Sequence, residues 1–232
     1  MTARGESLDQ KKARAKKITR RLKQHYPNSR CSLDFETPHQ LMVATILSAQ
    51  CTDERVNKVT PGLFAKYPSV DAFADADQKE LEQAIYTTGF YVNKARAIKN
   101  SARELRERHG GGIPRTLDEL VKLQGVGRKT ASVILGAGFG LAEGVVVDTH
   151  VARISRRLGL TAEKDAVKIE RDLMQVLPKK DWIGYAHLLI DHGRAVCIAR
   201  RPKCGECFLT QLCPSARTGQ GQPESGNLVG NR

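Results

Sequence analysis

The chain has 232 residues, a formal net charge of +13 and a pI near 9.7, which together call for a polyanionic partner: DNA, RNA or an anionic membrane surface. No apolar run reaches the roughly 18 residues of a membrane span, the longest being about Leu41 to Ala49, and no secretory apolar segment follows the amino terminus, so a soluble, intracellular protein is expected. The six cysteines do not form a disulfide-like framework: four fall between Cys197 and Cys213, while Cys31 and Cys51 stand apart, a pattern that suggests a metal centre. Helical periodicity dominates and strand-like alternation is almost absent, so the expected class is all-α.

Met1 to Arg30 carries ten Lys or Arg against Glu6 and Asp9, with Ile18, Leu22 and Tyr26 spaced as the apolar stripe of a helix from about Leu8 to His25. A targeting presequence, a nuclear signal and a solvated helix all fit this pattern, but the stripe needs a partner and favours docking on the body of the protein. Thr37-Pro38 starts a nearly all-apolar core helix running through Leu41, Met42, Ile46 and Leu47 to about Gln50. Polar groups then appear abruptly in Leu47-Ser48-Ala49-Gln50-Cys51-Thr52-Asp53, where Thr52 or Asp53 can cap the next helix. Short helices follow, punctuated by Pro61-Gly62 and Tyr67-Pro68, with Ser69 as a cap and Asp77 with Glu80 as a capping box. Thr88-Gly89-Phe90-Tyr91 places a glycine and two aromatics at a helix boundary, and Lys94 to His109 reads as a basic helix stopped by Gly110-Gly111-Gly112.

Thr116-Leu117-Asp118-Glu119 reads as a second capping box, opening a short helix that leads into Leu123-Gln124-Gly125-Val126-Gly127-Arg128-Lys129-Thr130. The unit is helix, tight Gly-x-Gly turn, helix. Gly125 and Gly127 are expected to take left-handed torsions and to bare their amides to a partner such as a phosphate. Arg128 and Lys129 stand at the positive end of the second helix, where a cation is disfavoured by roughly 0.3–1 kcal/mol. A bound phosphate or a neutral lysine amine would offset this, and a solvated basic turn is the plain alternative. After a glycine-rich stretch from Gly136 to Gly144, Val145-Val146-Val147 delivers Asp148, the natural N-cap of a helix carrying Val151, Ile154 and Leu158. Helices over Asp165 to Leu177 and Asp181 to His192 follow, with His187 and His192 read as packing or hydrogen-bonded residues. Cys197-x6-Cys204-x2-Cys207-x5-Cys213 can hold a tetrahedral zinc or an iron–sulfur cubane, and spacing alone leaves both open. Arg200, Arg201 and Lys203 form a basic tongue inside it, and Pro214 to Arg232 reads as a flexible tail.

The octapeptide, Leu47 to Asp53, Asp148 and the cysteine series stand in the order seen in the endonuclease III family of DNA glycosylases, which the chain resembles from about Pro27 to Cys213. Gln124 stands where that family usually has proline, Phe90 where leucine or isoleucine is more familiar, and the loop before Asp148 is one residue longer. The resemblance implies a two-lobed helix-hairpin-helix glycosylase fold with DNA in the cleft: a helical-barrel domain over 31–141, an iron–sulfur domain from 1–30 and 142–213, and a tail over 214–232. By the same resemblance Lys129 is the nucleophile and Asp148 its catalytic partner, Gln50 fills the gap of a flipped base and Asp53 lines the lesion pocket. Phe90, then Tyr91, is the candidate wedge; Gly125, Gly127, Arg128, Arg200, Arg201 and Lys203 would contact the DNA backbone. Cys197, Cys204, Cys207 and Cys213 would hold one 4Fe-4S cluster. The implied activity is that of a monomeric, DNA-associated glycosylase and AP lyase, which removes oxidised pyrimidines from duplex DNA through a lysine Schiff base and cleaves 3′ to the abasic site. Two alternatives from other classes are a non-catalytic DNA binder with a redox-responsive cluster, which would need neither Lys129 nor Asp148, and a zinc-binding structural module.

Overall fold

The computed structural model describes residues 5–217, which form helices and connecting turns with no strand among them. The all-α expectation holds. The chain divides into two compact units: a central unit from Cys31 to Glu143, and a split unit made of the amino-terminal segment up to Arg30 together with the chain from Gly144 onward.

Helix α1, Leu8–His25, belongs to the split unit. It opens with a full capping box between Ser7 and Gln10 and buries Ala15, Ile18, Thr19 and Leu22; of the expected stripe, Ile18 and Leu22 are buried and Tyr26, at the C-cap, is half-buried. The central unit is built around α2, Pro38–Ser48, whose residues Leu41 to Ala44, Ile46 and Leu47 are all buried. Thr37 caps it, as its sequence predicts, by accepting from the Gln40 amide at 3.2 Å. The helix stops at Ser48, two residues short of Gln50, and Gln50 takes a left-handed φ of 54° instead of continuing it.

Next come α3 (Asp53–Lys66), α4 (Val70–Asp75), α5 (Gln78–Ala84), a 3-10 turn over Tyr86–Thr88 and α6 (Tyr91–His109). Asp77 caps α5 through the Lys79 and Glu80 amides, but no box closes, because the Glu80 carboxylate turns to Lys66 at 2.8 Å. Helix α6 begins three residues before the expected Lys94, which places that lysine inside its first turn. In α7, Leu117–Leu120, Thr116 accepts weakly from the Glu119 amide at 3.4 Å, while its hydroxyl donates to the Glu119 carboxylate at 2.6 Å. That second expected box is therefore half formed, its carboxylate being held by the cap hydroxyl. Helix α8, Arg128–Val133, widens into a π-helical turn over Ile134–Gly138. Helices α3, α6 and α8 all pack on α2, and α4 and α5 pack on α6.

The split unit resumes with α9 (Thr149–Arg157), α10 (Ala166–Val176) and α11 (Trp182–Ala195). Helix α1 lies on α10 and α11. Its Arg14 donates to the carbonyls of Leu158, Gly159 and Leu212 and is paired with Glu6 at 2.7 Å, so one side chain ties two distant segments to the amino-terminal helix. A correction concerns the tail. Pro214–Arg217 forms a last helical turn, α12, packed on α9, because Gly159 leaves room for the Pro214 ring; only 218–232 of the expected tail lie outside the described residues. No helix among the described residues is long and apolar enough to cross a membrane.

One half-buried histidine makes the central unit sensitive to acid. His39 lies edge-on to Phe73 at 5.3 Å, its Nε2 has no hydrogen-bond partner, and burial lowers its pKa to about 4. The unfolded chain takes up this proton near 6.5, so the contribution to stability is complete above that pH and is lost as pH falls toward 4. His39→Leu should remove on the order of 2–3 kcal/mol of that acid-dependent loss, measured as the difference between urea melts of the two proteins from pH 7 to 4.5.

Candidate functional site

The hairpin is fixed from inside the central unit. Leu120, Leu123 and Val126 are buried, and the turn closes by a bond from the Val126 amide to the Leu123 carbonyl at 3.1 Å. Its first corner is tied to α6: Ser101 donates to the Gln124 carbonyl at 2.6 Å and Asn100 to the Gln124 side chain at 2.7 Å. Gly125 has a φ of 80°, and a Cβ there would lie 2.8 Å from the Cβ of Ala97. Both torsion and space therefore demand glycine.

Gly127 departs from expectation. Its φ of −80° and ψ of 173° are extended, so only one of the two glycines is left-handed. A Cβ at Gly127 would meet nothing within 4 Å. It stands at the N-cap of α8 with no side-chain cap, and what its bareness secures is open approach from outside to the first amides of the helix. Arg128 and Lys129 follow it, both exposed.

Two further loops of this unit bring out the other expected residues. Gln50 at φ 54° and Phe90 at φ 49° are the non-glycine residues with positive φ among those described, a conformation that costs about 1–3 kcal/mol each. Both are exposed, Phe90 by 62%. The Tyr91 ring tilts against Tyr86 at 4.8 Å. Asp53 begins α3 and accepts from the Ser32 hydroxyl at 2.6 Å, while Thr52 caps that helix.

Beneath the two loops lies a residue the sequence reading passed over. Lys94 is buried, and its Nζ donates to the carbonyls of Leu47 at 2.8 Å and Thr88 at 2.7 Å. Burial lowers its pKa. The available signal was its position on the apolar face of α6, in register with Tyr91, Ala95 and Ile98, where a charged residue is out of place.

In the split unit, Asp148 is the N-cap of α9, its Oδ1 accepting from the Val151 amide at 2.7 Å. Four turns and helix ends gather the cysteines. Cys197, Cys204, Cys207 and Cys213 all line one cavity, with Ile154, Leu158 and Leu209 as apolar wall and His192 beside them. Burial pushes the Cys207 and Cys213 thiols up, and the neighbouring thiolates push them further. Donors already point at the sulfurs: Arg157 reaches Cys197 Sγ at 3.3 Å and the Leu209 amide reaches Cys207 Sγ at 3.4 Å. The Ser215 and Ala216 amides of α12 act on Cys213 in the same sense. Four converging thiols, their charge met by N–H donors, fit a cationic iron–sulfur centre, which would relieve both the burial and the mutual repulsion. His192 has the supporting place expected of it, within 3.2 Å of the Tyr26 hydroxyl and held neutral by burial, with a pKa lowered to about 4. Arg157 also donates to the Ile198 and Ala199 carbonyls, and so holds the root of the loop that presents exposed Arg200, Arg201 and Lys203.

Comparison with known proteins agrees with this geometry. The family model for HhH-GPD superfamily base excision DNA repair proteins matches residues 43–179, and that for the iron-sulfur binding domain of endonuclease III matches 197–213. The chain is 55% identical over 207 residues to an endonuclease III of Synechocystis, covering 89% of this chain and 94% of the relative, and 45% identical over 202 residues to that of Bacillus subtilis, covering 87% and 90%. A solved structure described as a trapped endonuclease III–DNA covalent intermediate superposes with a TM-score of 0.83 at 39% identity, over 90% of this chain and 98% of that one. The hairpin fold and its repair-family match thus make the chain a member of the HhH-GPD superfamily of base excision DNA repair proteins. Within that class it belongs to the endonuclease III family, as a DNA glycosylase with an iron–sulfur cluster.

The two hairpin glycines should respond differently to a methyl group. Gly125→Ala must both strain its torsion and push Ala97 away, a loss of about 2 kcal/mol or more, whereas Gly127→Ala should change stability by less than about 0.5 kcal/mol. Denaturant melts of the two variants check this; equal losses would contradict it.

Proposed function

We propose that the protein is a bifunctional DNA glycosylase and AP lyase that removes oxidised pyrimidines from duplex DNA and nicks the strand 3′ to the resulting site. The observation that carries this reading is the setting of Lys129: an exposed primary amine in the first turn of a helix whose N-cap glycine leaves the approach free of side chains. The description of a solved relative as a trapped covalent intermediate with DNA supports it.

In this reading the protein acts as a monomer, the central unit being the barrel-and-hairpin domain and the split unit the cluster domain. The hairpin amides of Gly125 and Gly127, with Arg128, Arg200, Arg201 and Lys203, bind phosphates and give sequence-independent, salt-sensitive affinity. A damaged base is cheaper to unstack; Gln50 and the Phe90 wedge, with Tyr91 beside it, fill the gap it leaves, and Asp53 faces the extruded base. The free amine of Lys129 attacks C1′ as the bond to the base breaks, and the base departs with the bonding electrons and a proton. The Asp148 carboxylate, pinned by the Val151 amide, opposes the positive charge that develops on the sugar. The C1′–O4′ bond then opens, O4′ taking up a proton as the nitrogen lone pair forms the imine; the imine lets a proton leave C2′, and the C3′–O bond then breaks to release the 3′ strand. Cys197, Cys204, Cys207 and Cys213 would hold the cluster as 4Fe-4S, a cross-link that stiffens the basic tongue.

The test is borohydride trapping on a duplex containing thymine glycol. A covalent complex should form with the native protein and be absent with Lys129→Gln, and Asp148→Asn should slow base release by about a hundredfold or more. Binding to that duplex and to an abasic one with no trapped complex on either would replace this reading with a monofunctional glycosylase.

A further inference from the structure

The Lys94 amine connects two places that are far apart in sequence. Leu47, whose carbonyl it binds, lies three residues before Gln50; Thr88, whose carbonyl it also binds, lies two before Phe90. Both acceptors belong to the closing turn of a helix, where carbonyls lose their intrahelical partners. The Lys94 backbone amide donates in turn to the Phe90 carbonyl at 3.1 Å, so one residue grips the Phe90 loop by main chain and side chain together.

The residues that follow those acceptors, Gln50 and Phe90, are the ones held in left-handed torsions. Such conformations persist only where the surroundings over-determine them. Around Gln50 the remaining backbone ties are modest: the Ala49 amide reaches Ile46 at 3.4 Å and the Cys51 amide reaches Ser48 at 3.1 Å. Glycine at position 89 supplies a φ of 71° and no steric restraint of its own. The amine is the shared anchor of both loops. An ordinary core position on α6 would carry an alkyl side chain; a lysine there accepts the cost of desolvating an amine and gains two hydrogen bonds.

We propose that Lys94 is a positioning residue that sets Gln50 and Phe90 jointly for insertion into the base stack. The inference rests on the reading of those two side chains given above. Lys94 acts through those two residues, its buried amine being engaged by the Leu47 and Thr88 carbonyls. With both loops hung from one amine, a shift of either acceptor disturbs the other, and the two insertions are mechanically linked.

The experiment is a mutant cycle on the cluster-loaded protein, with single-turnover base release and the fluorescence of 2-aminopurine placed opposite the lesion as readouts. Lys94→Met should slow base release and weaken the fluorescence rise by about tenfold or more, with affinity for undamaged duplex changed by less than about twofold. In a Gln50→Ala, Phe90→Ala background the same substitution should add less than about twofold, because the groups it acts through are gone. An equal slowing in both backgrounds, or none in the native one, would overturn the proposal while leaving the insertion reading intact. Normal base release and fluorescence in the Gln50→Ala, Phe90→Ala protein would overturn both. If Lys94→Met does not fold, Lys94→Gln, which keeps a donor for one carbonyl, must show the same non-additivity.

Discussion

Helix ends leave amides and carbonyls without partners, and the way this chain treats them orders the whole molecule. Most helix starts are closed in the ordinary way, by side chains of Ser7, Thr37, Thr52, Ser69, Asp77, Thr116 and Asp165. Two that carry expected site residues differ. Helix α8 starts at bare Gly127 and α6 at left-handed Phe90, neither with a side-chain cap. Helix α9 starts at Asp148, whose carboxylate closes the helix by accepting from the Val151 amide. The carbonyls near the end of α2 and of the turn before α6 are taken by an amine from the core. Leaving some ends open, and closing others from below, is what the proposed function turns into places for a ligand.

Much of this was legible in the sequence because it is local. The apolar stripe of α1, the all-apolar α2, the caps at Thr37 and Asp148 and the glycine stop after α6 follow from periodicity and from side chains that reach their own backbone. The cysteine spacing is likewise local, and the four thiols do converge on one cavity. The capping boxes were less secure. Glu80 and Glu119 each had a second available partner, and a carboxylate three residues from a cap is bound by whichever donor is nearest.

What was not legible depends on distant segments. Gly125 is required because Ala97 of another helix touches its backbone, whereas nothing in the folded chain requires Gly127, and no rule applied to the octapeptide separates the two. Lys94 reads as one more charge in a basic helix until α2 and the Thr88 turn are seen to converge on its Nζ. Polar composition marked Pro214 onward as tail, yet α12 packs on α9 and its amides act on Cys213. In each case composition was read correctly, and the deciding contact lay tens of residues away.

The strain at Gln50 and Phe90 bears on how such a protein can open a duplex. Holding each left-handed costs about 1–3 kcal/mol, comparable with the few kcal/mol needed to unstack a base step. If the loops adopted these conformations only on meeting DNA, that strain would be subtracted from binding at the moment the stack must also be broken. Both conformations follow directly on the carbonyls held by the buried amine, so on the proposed insertion reading their cost is met on folding. On that reading, binding energy from the proposed phosphate contacts would be left for deforming the duplex. On the same proposed reading, two side chains fixed on the fold would distinguish substrates: a base that unstacks readily would yield to them, while a well-stacked pair would resist.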